Sequence, residues 1–204
     1  YKTAIEYINK AIEIDDDYAK AYFMKAYLYK ETQDTANAIK NFQIATEKDQ
    51  NYFNAYVELG ILFAAKRNPL AIDYYNNALN INPRSREAWY NKAMFYQENE
   101  MYNEALESYT TLIEIDPNYK YAYYNLGYIH LEYLKITDVA RDYFSKAIQC
   151  DPNYVEAYFN RGLCFEILGD INNAQKDYQK ALQLRTNYQK AIEGLNRLDE
   201  IMKR

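Results

Sequence analysis

The chain has 204 residues, 49% hydrophobic and 26% charged, with a net charge of −5, enough for the core of one or two ordinary domains and without the signature of disorder. The mildly acidic balance excludes a typical nucleic-acid binder, which carries a basic face. No apolar run approaches the ~20 residues that cross a membrane, which predicts no membrane insertion, and no charged stretch followed by an apolar one marks a secretory leader at the start.

In chain order, residues 1–18 predict one amphipathic helix, with Ala4, Ile8 and Ala11 on one face. Residues 19–52 predict two helices. The first carries Tyr22, Ala26 and Tyr29; the second carries Ala38, Phe42 and Ala45. The same pair returns in 53–85 with Tyr56, Gly60 and Phe63, then Ala71, Tyr75 and Ala78. It returns in 86–119 with Trp89, Ala93 and Tyr96, then Ala105, Tyr109 and Leu112. Residues 120–154 carry Tyr123, Gly127 and His130, then Ala140, Phe144 and Ala147. Residues 155–188 carry Tyr158, Gly162 and Phe165, then Ala174, Tyr178 and Ala181. The alanines opening the second helices, from Ala4 to Ala174, are separated by 34, 33, 34, 35 and 34 residues. Spacings of 3, 4 and 7 place each set on one helical face. A small residue facing small residues lets two backbones approach while rings fill the gaps. A single pair cannot bury its apolar faces alone, so neighbours must stack.

The breaks agree. Pro83, Pro117 and Pro152 follow Asn or Asp at the ends of second helices, and Tyr18, Tyr52, Tyr119, Tyr154 and Tyr188 recur at the same junction. These tyrosines are expected to wedge between successive repeats. Repeat two is one residue short near Lys66–Pro69 and repeat four one long near Leu134–Ile136, both assigned to inter-helix turns. Residues 189–204 predict a capping helix with Ile192, Leu195, Leu198 and Ile201 on its apolar stripe. Because residues 1–18 match only a second helix, the N-terminus is expected to be a cut, with more chain upstream, and the C-terminus a natural cap.

The phased aromatic, small, aromatic, Ala, aromatic and Pro positions resemble the tetratricopeptide repeat. Trp89, Ala93, Tyr96, Ala105, Tyr109, Leu112 and Pro117 carry the likeness most fully, and it covers essentially the whole chain. Lys25, Lys92 and Arg161 stand where leucine is usual, and Asp16, Gln50 and Thr186 replace the terminal proline. The resemblance implies an all-α, right-handed solenoid of about twelve helices as a single array, and a non-catalytic scaffold binding a partner in its concave groove.

The same resemblance places the groove on the first helices, at positions flanking the small residue. These include Phe23, Met24 and Tyr27 in repeat one. The peptide-binding candidates are Val57, Glu58 and Ile61; Tyr90, Asn91 and Met94; Tyr124, Asn125 and Tyr128; and Phe159, Asn160 and Leu163. Tyrosine offers contact area with a polar tip. Asn91, Asn125 and Asn160 hold one place in three repeats, and an amide offers both donor and acceptor. They resemble the asparagine ladder that grips peptide main chains. The competing reading is that neighbouring first helices bury these rows against one another. The family's carboxylate clamp does not fit, since Asn54, Glu87, Tyr121 and Glu156 occupy its places and only Lys20 matches.

No chemistry is legible. His130 is the only histidine and sits where other repeats place Tyr or Phe. No phosphate loop or metal motif occurs, so no cofactor is expected. Cys150 and Cys164 are read about two helical turns apart, too far for a disulfide, and free thiols fit a reducing compartment such as the cytoplasm. Edge carboxylates Glu58, Glu87, Glu98, Glu132, Glu156 and Glu166 point to a neutral or basic protein or peptide partner rather than an acidic tail. The alternative is a scaffold that self-associates through the groove or the N-terminal end.

Overall fold

The computed structural model describes residues 2–203, in which twelve α-helices and no strands occur. They divide into two compact units, 1–101 and 102–204. The first contains α1 (Lys2–Ile14), α2 (Ala19–Glu31), α3 (Thr35–Lys48), α4 (Phe53–Ala64), α5 (Leu70–Ile81) and α6 (Arg86–Glu98). The second contains α7 (Tyr102–Ile115), α8 (Lys120–Glu132), α9 (Thr137–Cys150), α10 (Val155–Ile167), α11 (Ile171–Leu184) and α12 (Gln189–Met202). Both are all-α stacks of solenoid type, each helix packed on the next.

The junctions are built from side chains that compete with the helix. Between a second helix and the next first helix, the carboxylates of Asp15, Asp49, Asp116 and Asp151 and the amide of Asn82 each accept from the backbone N–H two residues on. These Asx turns end one helix and aim the next. The tyrosine that follows, at the head of the next first helix, then wedges backward: the Tyr52 ring stacks on Phe23 of α2 at 5.1 Å, and Tyr154 lies 5.1 Å from Tyr124 of α8.

Within a repeat, each turn from first to second helix passes through a left-handed residue. Gln33, Arg67, Glu100 and Lys135 take φ between 52 and 62°, and Gly169 takes 80°. A backbone N–H then reaches across the turn, as Asp34 N–H does to the Tyr29 carbonyl at 2.8 Å. Asp34 and Asp170 cap the helices that follow by accepting from Asn37 and Asn173.

Repeat length is absorbed differently in the two irregular repeats. The extra residue of repeat four lies in the turn between α8 and α9, as expected. Repeat two instead has the longer turn, 65–69, and loses residues from its helices, each of which has 12. Pro69 is the reason: it cannot sit within a helix interior, so α5 starts after it.

Much of the core comes from the predicted small residues and second-helix rings, while first-helix rings such as Tyr22, Tyr56 and Trp89 stay half-buried and Leu59, Leu126 and Ile129 join it. Ala26, Ala38, Phe42, Tyr75, Tyr109, Phe144 and Tyr178 are all fully buried. At Gly127 a Cβ would lie 2.9 Å from the Phe144 ring, which explains the missing side chain. The ends depart from this pattern. Helix α1 buries no residue, and Tyr7 and Ile14 are 68% and 88% exposed. The cap α12 buries Ala191, Gly194 and Leu198. Ile201, expected on the same apolar stripe, is exposed because the last turn runs past the packing surface.

Candidate peptide-binding faces

In the first unit the first-helix face is carried by α4 and α6. Ile61, Tyr90, Asn91 and Met94 converge with Tyr75, Phe95 and Glu98 around a groove of about 250 Å³. All four were expected on one face. Asn91 is half-buried there, and among the described residues no hydrogen bond holds its side chain. Val57 does not join them. It is 2% exposed, packed in the core with Ala78, Leu79 and Ala88, because the following repeat closes over that side of α4. Glu58 accepts from Lys30 Nζ at 2.6 Å and is screened by it.

In the second unit the face belongs to α8 and α10. Asn125 and Asn160 are buried rather than exposed, at 8% and 7%. Their amides are turned onto phenols: Asn125 Nδ2 donates to Tyr109 Oη at 2.9 Å, and Asn160 Nδ2 to Tyr124 Oη at 3.0 Å. The partners differ for a local reason. Sixteen residues before Asn125 stands Tyr109, but sixteen before Asn160 stands Phe144, which has no hydroxyl. A buried amide must find a partner, so Asn160 reaches Tyr124 on the preceding first helix. Tyr124 also packs on Phe144, Tyr154 and Tyr128. Burial pushes its phenol up to about 12. Phe159 lies against Tyr178 and Tyr188, and Leu163 packs with Tyr128 against Leu131, Phe144 and Cys164. The competing expectation, neighbouring first helices covering part of the rows, describes Asn160 against Tyr124 of α8, whereas Asn125 is held by Tyr109 of the second helix α7 and Val57 packs on both α5 and α6. Tyr124, Tyr128, Phe159 and Leu163 stay partly accessible.

Several edge charges are internally paired. Glu156 meets Arg185 at 2.8 Å. Glu166 binds Arg197 through two contacts of 2.8 and 2.9 Å and accepts from Tyr178 Oη at 2.5 Å. Burial opposes ionisation of Glu166, but these hydrogen bonds outweigh it and hold its carboxyl below the usual range. Glu87 and Glu98 remain exposed.

One constellation escaped sequence reasoning. Arg161 Nε and Nη2 donate to the two oxygens of Asp177 at 2.7 and 2.8 Å, and Asp177 is 5% exposed. The available signal was opposite charge sixteen residues apart, with a cation in the leucine place. His130 Nδ1 lies 2.8 Å from the Leu126 carbonyl and its ring packs on Tyr143, a structural position. Both cysteines are free thiols, and burial pushes Cys164 up to about 12, away from nucleophilic character. Among the described residues no His, Cys, Asp or Glu cluster could hold a metal, and no helix is long and apolar enough to cross a membrane.

Sequence profiles described as tetratricopeptide repeat match residues 7–40, 87–119, 121–153 and 155–188. Among curated proteins, the chain is 30% identical over 158 residues to the UDP-N-acetylglucosamine–peptide N-acetylglucosaminyltransferase of Giardia intestinalis, covering 72% of this chain and 11% of that protein. It is 24% identical over 117 residues to anaphase-promoting complex subunit 3 of Schizosaccharomyces pombe, covering 57% and 18%. The chain thus spans less than a fifth of the length of either relative. Among solved structures it is similar to YrrB, described as a TPR protein with an unusual peptide-binding site, with TM-score 0.75, 22% identity and coverage of 94% of this chain and 99% of that one. It is also similar to MamA, with TM-score 0.73, 23% identity and coverage of 84% and 94%. At these identities the structures speak to the fold.

Proposed function

The chain belongs to the tetratricopeptide repeat family, a fold of protein-interaction scaffolds that are generally non-catalytic, and on that premise we propose that it binds an extended peptide or a helix of a partner protein on its first-helix faces. The observation that carries this is the groove of Ile61, Tyr90, Asn91 and Met94, where an amide with donor and acceptor stands among half-buried apolar side chains. The face of Tyr124, Tyr128, Phe159 and Leu163 has the same chemistry in the second unit. Asn160 offers a carbonyl oxygen to a peptide N–H while its amino group holds Tyr124. With Glu58, Glu156 and Glu166 paired internally and Glu87 and Glu98 exposed, the field favours a neutral or weakly basic ligand.

Panning the chain against a random peptide library tests the reading. Peptides selected by the native chain should lose at least tenfold in affinity when Asn91 and Met94 are replaced by alanine, with helicity unchanged by circular dichroism. Failure to select any peptide, or selection indifferent to both faces, overturns it.

A second reading, self-association, is favoured by one observation. Ala4, Tyr7, Ile8, Phe23, Met24, Tyr27 and Leu28 line an apolar groove of about 530 Å³ on α1 and α2. Light scattering over a concentration series distinguishes it, since a constant monomer mass excludes this route.

A further inference from the structure

Tyrosine makes up 25 of the 204 residues, and in the second unit its rings join. Tyr121, Tyr124 and Tyr128 follow one another along α8, at helical spacings that share a face. Tyr154 bridges the first two, 5.9 Å from Tyr121 and 5.1 Å from Tyr124. Tyr124 stacks on Tyr128 at 6.4 Å, Tyr128 meets Tyr133 edge-on at 6.0 Å, and Tyr133 stacks on Tyr102 at 4.1 Å. Tyr121 and Tyr133, near its two ends, are each 44% exposed.

Three properties of this belt select its ligand. It carries little net charge, since Lys120, 4.9 and 5.1 Å from the Tyr121 and Tyr154 rings, pairs with Asp151 at 2.5 Å, and Glu132 beside Tyr128 faces Lys135 at 3.9 Å. It also offers a donor: Tyr124 Oη accepts from Asn160 Nδ2, which leaves its own O–H to donate, strengthened by the bond it receives. It is also long. Tyr121 to Tyr133 spans about 18 Å at ~1.5 Å per helical residue, the length of about six residues of polyproline II at ~3.1 Å each. Polyproline II is uncharged, offers flat pyrrolidine faces, and in a proline run has free carbonyls and no N–H groups. Aromatic-lined surfaces are a known physical solution for such segments. We infer that the tyrosine belt along α8 is a docking face for a neutral, proline-rich segment of about six residues in the polyproline II conformation. This rests on the peptide-binding reading above and names its ligand class in the second unit.

Fluorescence anisotropy of labelled decaproline with the whole chain tests it. Saturable binding is expected. Tyr124→Phe, which keeps the ring and removes the donor, should weaken it about five- to tenfold. The pair Tyr121→Ala and Tyr133→Ala should weaken it more than tenfold, while Leu70→Ala at an exposed position of α5 leaves it unchanged. A glycine–serine peptide of equal length should not bind. No decaproline binding at millimolar concentration, with library-selected peptides still bound, overturns the belt and leaves the broader reading standing; loss of both removes both. Tighter, belt-sensitive binding of a proline-free amphipathic helix also overturns the proline-rich assignment.

Discussion

The replacement Arg161→Leu restores the residue usual at its repeat position, and a consensus argument expects it to stabilise the fold. The structure predicts the opposite. The Arg161 guanidinium makes two hydrogen bonds, of 2.7 and 2.8 Å, to a carboxylate that is only 5% exposed. It also covers the Tyr158 ring, 5.5 Å from its centroid. Leucine would fill the volume but leave the Asp177 carboxyl unpaired among buried side chains. Breaking a fully buried pair costs about 3–5 kcal/mol. The Arg161 side chain is 22% exposed, so water relieves part of that, and the expected loss is about 2–3 kcal/mol. For a chain of this length that lowers Tm by roughly 4–12 °C. Removing the carboxylate as well, in Arg161→Leu with Asp177→Ala, should recover much of the loss. Thermal and urea unfolding followed by circular dichroism over the four proteins gives the coupling, expected above about 1 kcal/mol. A neutral or stabilised Arg161→Leu, or strictly additive single changes, refutes the reasoning.

Gly127→Ala should destabilise by about 1–3 kcal/mol in urea unfolding, because its methyl group lands 2.9 Å from the fully buried Phe144 ring. Lys135→Gly should raise the urea midpoint by about 0.5–1 kcal/mol of stability, since exposed Lys135 holds φ 58°, which glycine adopts without penalty. Glu166 has a carboxyl pKa below its unfolded value. Its stabilisation is therefore complete above about pH 4.5 and disappears as pH falls through the lowered value. Acid titration should show that loss in the native chain and a flatter curve in Glu166→Gln.

The repeat was legible because its determinants are local. Spacings from Ala4 to Ala174 report helix faces, and Asp-Pro phrases report breaks, whatever the rest of the chain does. Burial on the first-helix face was legible only in part. Val57 and Ile61 share a face four residues apart, yet one is core and the other lines a groove, because the next repeat covers one flank of α4. The asparagines failed as a uniform row for a similar reason. The Asn125 and Asn160 amides turn onto phenols while that of Asn91 does not, and Phe144 in place of a tyrosine redirects Asn160 to another helix. Pairing of Arg161 with Asp177 needs the register between α10 and α11, which sequence spacing hints at and packing determines. The choice between Pro69 ending a turn and opening a helix was likewise a matter of backbone geometry rather than repeat length.

The backward-wedged junction tyrosines give each repeat a share in its neighbour's stability. Tyr52, at the head of α4, rests on Phe23 of α2, as Tyr188, at the head of α12, rests on Phe159 of α10. A chain so coupled melts by zippering, through links between adjacent members, and its fraying points are its least-flanked helices. Helix α1 buries no residue and packs on α2. Amide hydrogen exchange should therefore be fastest there and slow toward α3 and α4, so the 1–101 unit opens as a gradient instead of a single event.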